Sequence, residues 1–196
     1  MLHQKTIFII PGFKQYPTDK AYKEIAKFLK NEGYYPIPVT IPWRKSTISQ
    51  NTNYFLKKYI KIKANKKYVL GFSYGAMIAL IASTKVSVSG LILCSLSPYF
   101  KEDIPKINKN LSSLMAARYE DFSKLHCKTL TEKTKAKKIL MLYGAEEAKS
   151  LIRRVTETFD QISSRKKHLI KISEASHKIS DEKYLNTIYQ AARDLL

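Results

Sequence analysis

Short apolar runs alternate along the chain with longer stretches in which apolar residues recur at helical spacing. Six of the short runs are rich in β-branched and aromatic residues, a composition that favours strands. They cover residues 6–10, 35–41, 68–71, 90–94, 138–143 and 168–172. Strands that alternate with helices are typical of a parallel sheet covered by helices. The pattern therefore predicts an α/β fold with about six, mostly parallel strands and helices on both faces.

Five longer stretches between or after these runs predict helices. Thr18 and Asp19 can cap the first one, and Gly33 stands where a helix commonly ends. The other four cover residues 51–62, 74–83, 151–162 and 182–196. The stretch 74–83 is almost wholly apolar and small, which predicts a helix buried against the sheet. The remaining helices are predicted to bury one apolar face each.

One segment, between the fourth and fifth predicted strands, interrupts the alternation. It covers about 97–136, contains Pro98 and Pro105, and has a helical pattern at 111–119. Structureless loops of this length are uncommon in compact domains and often prove to be lids or binding elements. We therefore predict a small helical cap inserted into a single domain of residues 1–196, a length that suits one hydrophobic core.

The third predicted strand runs directly into the sequence Gly71-Phe72-Ser73-Tyr74-Gly75. A serine with glycines two residues before and after it, at a junction of strand and helix, matches the nucleophile elbow G-x-S-x-G. The glycines are needed because the turn is sharp and neighbouring chain passes close to it. Ser73 is therefore the candidate nucleophile, although a Gly-rich pentapeptide can also be an ordinary tight turn.

A serine nucleophile needs a base, and four histidines are available: His3, His126, His168 and His177. His177 follows the last predicted strand and precedes the last helix. Its loop should emerge at the carboxyl end of the sheet, where Ser73 also lies. This position makes His177 the predicted base, against the alternative of a histidine in a surface loop.

The base in turn needs a carboxylate to orient it. The loop after the fifth strand begins Gly144-Ala-Glu-Glu-Ala, which makes Glu147 the first choice and Glu146 the second. Either could instead be a solvated carboxylate at a helix start. Asp103, after the preceding strand, is a third candidate.

An oxyanion intermediate requires two backbone N–H donors. The first is predicted to be that of Tyr74, directly after the nucleophile and at the start of a helix. The second is predicted to be that of Phe13, in the Pro11-Gly12-Phe13 loop after the first strand. Pro-Gly is also a common dipeptide of plain turns.

With these features the chain resembles the α/β-hydrolase family over nearly its whole length. The resemblance rests on the elbow around Ser73, on the chain order Ser73, Glu146 or Glu147, then His177, and on the Pro11-Gly12-Phe13 loop. It implies a parallel sheet, a cap after the strand that follows the nucleophile, and an acyl-enzyme formed on Ser73. Neither a metal ion nor an organic cofactor is required. A carboxylic ester or thioester is the implied substrate class.

The chain departs from the family pattern at three places. Many members begin the oxyanion loop with His-Gly where this chain has Pro11-Gly12, and many have Asp where this chain has Glu147. The sequence predicts no hairpin before its first parallel strand, where larger members have one. Ser95, Ser97 and Tyr99 stand at the border of the predicted cap and are assigned no catalytic role.

Charge adds a partner class to this prediction. Lys and Arg number 35 against 16 Asp and Glu, a net charge of +19, but 29 of the 35 are Lys and they are spread along the chain. Nucleic-acid recognition favours clustered Arg, so we expect a solvated surface or an acidic protein partner instead. The chain is also similar to compact bacterial esterases that act on carrier-linked acyl groups, including pimeloyl-acyl-carrier-protein methyl ester esterases of biotin synthesis. This similarity implies docking of an acidic carrier on the cap, for example at Arg118 and Lys124.

Two further expectations concern class and location. A hydrolase-like fold that only binds a partner, without catalysis, is the alternative to an enzyme. No apolar run approaches the roughly 18–20 residues of a membrane span, and the run 6–10 is too short for a signal peptide, so a cytoplasmic protein is expected. The two cysteines, Cys94 and Cys127, have no metal-ligand spacing.

Overall fold

A computed structural model describes residues 3–104 and 113–194 of the chain. Its centre is a sheet of six strands, all parallel, in the order β2-β1-β3-β4-β5-β6. The strands are β1 (His3–Ile10), β2 (Tyr35–Pro38), β3 (Ala64–Phe72), β4 (Gly90–Cys94), β5 (Ile139–Gly144) and β6 (Lys167–Ile172). Each of the six predicted runs contains a strand, although β2 ends at Pro38 rather than at the predicted 41, and the predicted α/β class is confirmed.

The described chain also contains seven α-helices. They are α1 (Lys20–Asn31), α2 (Ile48–Lys61), α3 (Tyr74–Ser83), α4 (Ser113–Ser123), α5 (Cys127–Glu132), α6 (Lys149–Gln161) and α7 (Glu182–Asp194). None of the helices in residues 3–104 and 113–194 is long and apolar enough to cross a membrane.

Alternate residues of each strand point to opposite sides of the sheet. Helices cover both sides, so both faces are buried. Phe8 and Ile10 of β1 pack with α2, α3 and α6 on one face, in a core that Leu91 and Met141 continue across the sheet. The residues that directly neighbour these along each strand point to the other face, where they pack with α1 and α7. Because the strands are all parallel, their carboxyl ends lie along one edge of the sheet, and the loops with the candidate residues lie at that edge.

Three helix starts differ from the prediction, and one of them is that of α6, which begins at Lys149, two residues before the predicted 151. Asp19 is the N-cap of α1, but neither its side chain nor that of Thr18 caps the helix; the Asp19 carboxylate accepts the N–H of Tyr16 instead, at 2.9 Å. Helix α2 begins three residues before the predicted 51, because Thr47 and Gln50 form a reciprocal capping box. A pair of polar capping residues three positions apart therefore marks this helix start in the sequence.

The segment between β4 and β5, predicted as a cap, contains α4 and α5. Helix α4 extends beyond the predicted 111–119 to Ser123, whereas α5 was not predicted at all. Pro105 and residues 111–112 of the predicted helix lie outside the described residues, as do residues 195–196 of the last one. Phe122 of α4 is buried and stacks on Tyr99, with ring centroids 5.3 Å apart, so α4 is anchored beside the end of β4.

The turn from β3 into α3 is tight enough to exclude side chains at two positions. A Cβ atom on Gly71 would overlap the carbonyl oxygen of Gly75, and one on Gly75 would overlap those of Ile10 and Pro11. The loop after β1 therefore lies directly against the start of α3. This contact brings the two loops predicted to hold an oxyanion together.

We expect Gly75→Ala to lower the free energy of unfolding by about 3 kcal/mol, because the obstructing atoms are backbone carbonyls that cannot rotate away. Urea denaturation followed by circular dichroism measures this loss. Gly33→Ala is the matched control, since Gly33 has φ +80° but open space around its Cβ position, and should lose only about 1 kcal/mol from backbone strain. Equal losses in the two variants would contradict the steric explanation.

Candidate active site

Ser73 lies at the sharpest point of the β3 to α3 turn. Its backbone has φ 56° and ψ −117°, a conformation that L residues rarely adopt, and its N–H donates to the carbonyl of Cys94 at 2.8 Å. Ser73 is almost buried, with 9% of the residue exposed. Strain of this kind holds the hydroxyl at the open end of the sheet rather than in the helix face.

His177 lies in the loop between β6 and α7, as predicted from its place in the chain. Its Nε2 is 2.9 Å from Ser73 Oγ, a hydrogen-bond distance. The imidazole packs beside the ring of Phe72, with centroids 5.0 Å apart, and 39% of its side chain is exposed. The nucleophile and the base predicted from sequence are therefore in contact.

Glu147 lies behind His177 and is fully buried. Its Oε2 is 3.6 Å from His177 Nδ1, and within the described chain this oxygen has no hydrogen-bond donor. The other oxygen, Oε1, accepts the N–H of Gly144 at 3.2 Å and the hydroxyl of Ser95. One carboxylate oxygen is thus fixed by the protein, and the other faces the imidazole.

The two other candidate acids are placed differently. Glu146 is exposed, and no ion pair joins it to His177 in the described residues. Asp103 is buried but is engaged elsewhere, since its carboxylate accepts two hydrogen bonds from Arg154, at 2.6 and 2.7 Å. Geometry favours Glu147 as the orienting group.

The other histidines lie away from Ser73. His168 is exposed on β6, and His126 precedes α5 beside Lys101. His3 begins β1, at the opposite end of that strand from the Pro11-Gly12-Phe13 loop.

A hydroxyl network supports Glu147 that sequence reasoning did not identify. Ser95 directly follows β4, has φ 49°, and is 2.5 Å from the Tyr184 hydroxyl on α7. Burial raises the pKa of Tyr184 well above its usual range, so the phenol keeps its proton and can donate. The pairing of β3 with β4 could have indicated Ser95. Cys94 aligns with Phe72, so the residues that follow them, Ser95 and Ser73, lie side by side. Nothing in the sequence singles out Tyr184.

Ser97 also contacts the nucleophile, although the sequence suggested no role for it. Its Oγ is 3.0 Å from Ser73 Oγ. When Ser73 donates to a neutral His177, its oxygen remains free to accept the Ser97 hydroxyl hydrogen. Ser97 therefore helps fix the rotamer of the nucleophile.

The predicted oxyanion donors lie on the two loops that meet at Gly75. The N–H of Gly12 is already used, since it donates to the Tyr22 hydroxyl at 3.0 Å and to Gln15 Oε1 at 3.1 Å. In the described chain, no backbone hydrogen bond outside the regular helices and strands uses the N–H of Phe13 or that of Tyr74. Their rings contact each other at 5.6 Å, which places both residues at one corner of the site.

A pocket of about 680 Å³ opens over Ser73 and His177. Most of its wall is apolar, and several of the lining residues come from α4. The larger lining side chains are Phe13, Tyr74, Tyr99, Ile104, Met115, Arg118, Tyr119, Phe122 and Leu151. A pocket of this size and character suits a small organic ligand with an apolar portion.

The two basic residues predicted to dock a carrier face different surroundings. Lys124 is exposed and pairs with Glu120 one turn back on α4, at 2.7 Å. Arg118 instead lines the pocket. In the described residues, no three His, Cys, Asp or Glu side chains are grouped so as to hold a metal ion.

No protein-family model matches the chain, and no curated protein matches it by sequence. Solved structures do match it. Est1E from Butyrivibrio proteoclasticus is 13% identical with a TM-score of 0.83, over 99% of this chain and 87% of that one. Mouse alpha/beta hydrolase domain-containing protein 10 is 14% identical with a TM-score of 0.81, over 97% and 88% of the two chains. Monoacylglycerol lipase of Paleococcus ferrophilus is 12% identical with a TM-score of 0.70, over 99% and 96%.

These neighbours are similar to the chain in fold rather than in sequence. Together with the parallel six-stranded sheet and the strand-to-helix turn at Ser73, they establish one conclusion. The chain has the α/β-hydrolase fold.

Proposed function

We propose that this protein is a serine hydrolase that cleaves a carboxylic ester or thioester through an acyl-enzyme intermediate. The observation that carries the proposal is the contact of 2.9 Å between Ser73 Oγ and His177 Nε2, with the buried carboxylate of Glu147 on the far side of the imidazole. Three side chains from three separate loops meet in the order that nucleophilic catalysis needs.

In the first half of the reaction, Ser73 Oγ attacks the carbonyl carbon while its proton passes to His177 Nε2. The imidazolium that forms carries its second proton on Nδ1, which faces Glu147 Oε2. The distance of 3.6 Å shortens as the positive charge develops, since catalytic hydrogen bonds commonly tighten along the reaction. The alcohol or thiol then leaves with the proton from Nε2.

The negative charge on the carbonyl oxygen falls beside the N–H groups of Phe13 and Tyr74. Tyr74 is the first residue of α3, so the partial positive charge of the helix N-terminus adds to its N–H. In the second half, His177 takes a proton from water, the water oxygen attacks the acyl carbon, and Ser73 leaves with the proton. The products are a carboxylic acid and free enzyme.

The pocket supports an organic acyl or alcohol group as substrate. Its aromatic wall of Phe13, Tyr74, Tyr99 and Phe122 can pack against a ring or an alkyl chain. Est1E, one of the structural neighbours, has been solved with ferulic acid bound, and another neighbour is a monoacylglycerol lipase. Both fit a hydrolase of ester bonds.

A carrier-linked ester, such as a pimeloyl-acyl-carrier-protein methyl ester, is a narrower proposal. Its support is the net charge of +19 and the exposed side chain of Lys124, two residues after Phe122 of the pocket wall. Charge complementarity of this kind raises the rate of encounter with an acidic partner.

Intact-mass labelling with a fluorophosphonate tests the activated serine. We expect one adduct on the wild-type protein and none on Ser73→Ala, because the probe reacts with an activated serine oxygen. His177→Ala should also lose the adduct, since no other base lies within reach in the described site. A folded wild-type protein that takes no adduct would overturn the proposal and favour a hydrolase-like binding module.

We expect Glu147→Gln to lower kcat for ester hydrolysis roughly 100- to 10,000-fold, because the amide cannot stabilise the imidazolium and can hold the wrong imidazole tautomer. Glu146→Gln makes the same change at the adjacent exposed position and should stay within about twofold of wild type. Steady-state kinetics on a p-nitrophenyl ester measures both. A larger loss in Glu146→Gln would assign the orienting role to that residue.

Charge reversal tests the carrier proposal. Lys124→Glu should raise KM for a carrier-linked acyl ester severalfold and leave KM for the corresponding free methyl ester unchanged, because only the protein partner touches the surface at this position. Lys27→Glu, on α1 at the opposite face of the sheet, controls for the change in overall charge. Equal effects of the two variants, or on the two substrates, would contradict docking at α4.

A further inference from the structure

Arg118 is a cation in the wall of the pocket that holds Ser73 and His177. It is half-buried on α4. Apart from Asp103, which Arg154 neutralises, the described lining contains no other residue that is charged at every physiological pH. A guanidinium at this place is exceptional among neighbours that are mostly apolar or aromatic.

The guanidinium of Arg118 is held in one orientation. Its Nε donates to the carbonyl of Ser46 at 3.0 Å, and one Nη donates to that of Trp43 at 2.9 Å. Its centre lies 5.1 Å from the centroid of the Phe13 ring, in cation–π range. Because Arg carries five N–H donors, these two bonds leave three for another acceptor.

No carboxylate of the described chain forms an ion pair with Arg118. Asp121, three residues along α4, accepts the N–H of Ser49 at 2.9 Å, and Glu120 pairs with Lys124. Residues 105–112 have the sequence PKINKNLS, which contains no acidic residue. Among the described residues, the hydrogen-bond acceptors of the Arg118 guanidinium are therefore neutral backbone carbonyls.

The contrast with Arg154 shows what such a charge usually has. Arg154 lies near the same pocket with its side chain 2% exposed, and it forms a two-point ion pair with Asp103. Charged side chains away from water are normally paired, because an uncompensated charge in an apolar environment is unfavourable. Arg118 is oriented and partly desolvated, and within residues 3–104 and 113–194 it has no carboxylate partner, so its free N–H donors can bind an anionic ligand.

We propose that the substrate of this pocket is an ester that carries a carboxylate, and that Arg118 binds this carboxylate. The inference rests on the proposed ester hydrolysis and names its substrate class. Phe13 connects the two sites, since its ring lies under the guanidinium while its N–H is a proposed oxyanion donor. The carboxylate thus binds on the Phe13 side of the scissile carbonyl. In the described chain no hydrogen bond joins Arg118 to Ser73 or His177, so we assign Arg118 to specificity rather than to the chemistry.

The experiment compares ester pairs that are matched in size and differ in charge. Monomethyl adipate against dimethyl adipate places the carboxylate on the acyl half, and 4-acetoxybutanoate against 4-acetoxybutanamide places it on the leaving half. We expect kcat/KM of the wild-type protein to be roughly tenfold to hundredfold higher for the anionic member of one pair, mostly through KM. The pair that shows the preference identifies the half of the substrate that Arg118 holds.

Three variants separate Arg118 from the general positive field of the protein. Arg118→Met should bring the ratio of anionic to neutral kcat/KM close to one, and Arg118→Lys should keep part of it through charge alone. Arg193→Met is the matched control, because Arg193 also lies 5.1 Å from a phenylalanine ring but on α7, outside the pocket. It removes the same charge and should keep the wild-type ratio.

The outcomes distinguish this inference from the proposed function. Hydrolysis of neutral and anionic esters at equal kcat/KM by the wild-type protein would overturn the inference and leave the hydrolase intact. Equal losses on both substrates in Arg118→Met would also overturn it, because they indicate that Arg118 only fastens α4 to the loop at Trp43 and Ser46. A wild-type protein that takes no fluorophosphonate and hydrolyses no ester would remove the proposed function itself.

Discussion

The rest of the site depends on glycine, which has no side chain, at positions 71 and 75. Without side chains there, the carbonyl oxygens of Gly75, Ile10 and Pro11 can occupy the space that Cβ atoms would fill. The helix α3 can then begin one residue after Ser73, and the loop after β1 can lie against its first turn. The nucleophile, a helix N-terminus and the Phe13 loop are close together because backbone touches backbone at this point.

The second requirement of the site is a carboxylate that stays charged inside the protein. Removing Glu147 from water is unfavourable unless its oxygens find donors. The Gly144 N–H and the Ser95 hydroxyl supply them on one side, and Tyr184 in turn contacts Ser95. Elements as distant in sequence as β4, β5 and α7 therefore meet at one carboxylate, so the orientation of Glu147 towards His177 depends on the packing of all three.

Much of the fold and part of the site were predictable from the sequence. Strand positions follow from apolar runs, and the end of each strand fixes where Ser73, Glu147 and His177 emerge, because the carboxyl ends of parallel strands share one edge. The part that Tyr184 plays in the support around these residues was not predictable. The contact of Tyr184 with Ser95 joins side chains 89 positions apart, and no periodicity records such a contact.

The cap segment shows the same limit. Arg118 and Lys124 are similar in sequence terms, since they are two basic residues six positions apart, one on α4 and the other directly after its end. The structure separates them, since Arg118 turns towards the pocket and Lys124 towards Glu120 and water. Which face of α4 points inward depends on the anchoring of Phe122 against Tyr99, and that packing is tertiary. A charge count treats both residues alike, whereas their chemistry differs.

The short edge strand β2 has a consequence for association between chains. The Val39 N–H donates to Ile9 of β1, so in the alternating pattern of a strand the nitrogens of Pro36 and Pro38 point away from the sheet. Proline has no N–H, and this margin of the sheet therefore offers a neighbouring chain no donor at either position. The two missing donors therefore disfavour growth of the sheet by the addition of strands from other copies at β2.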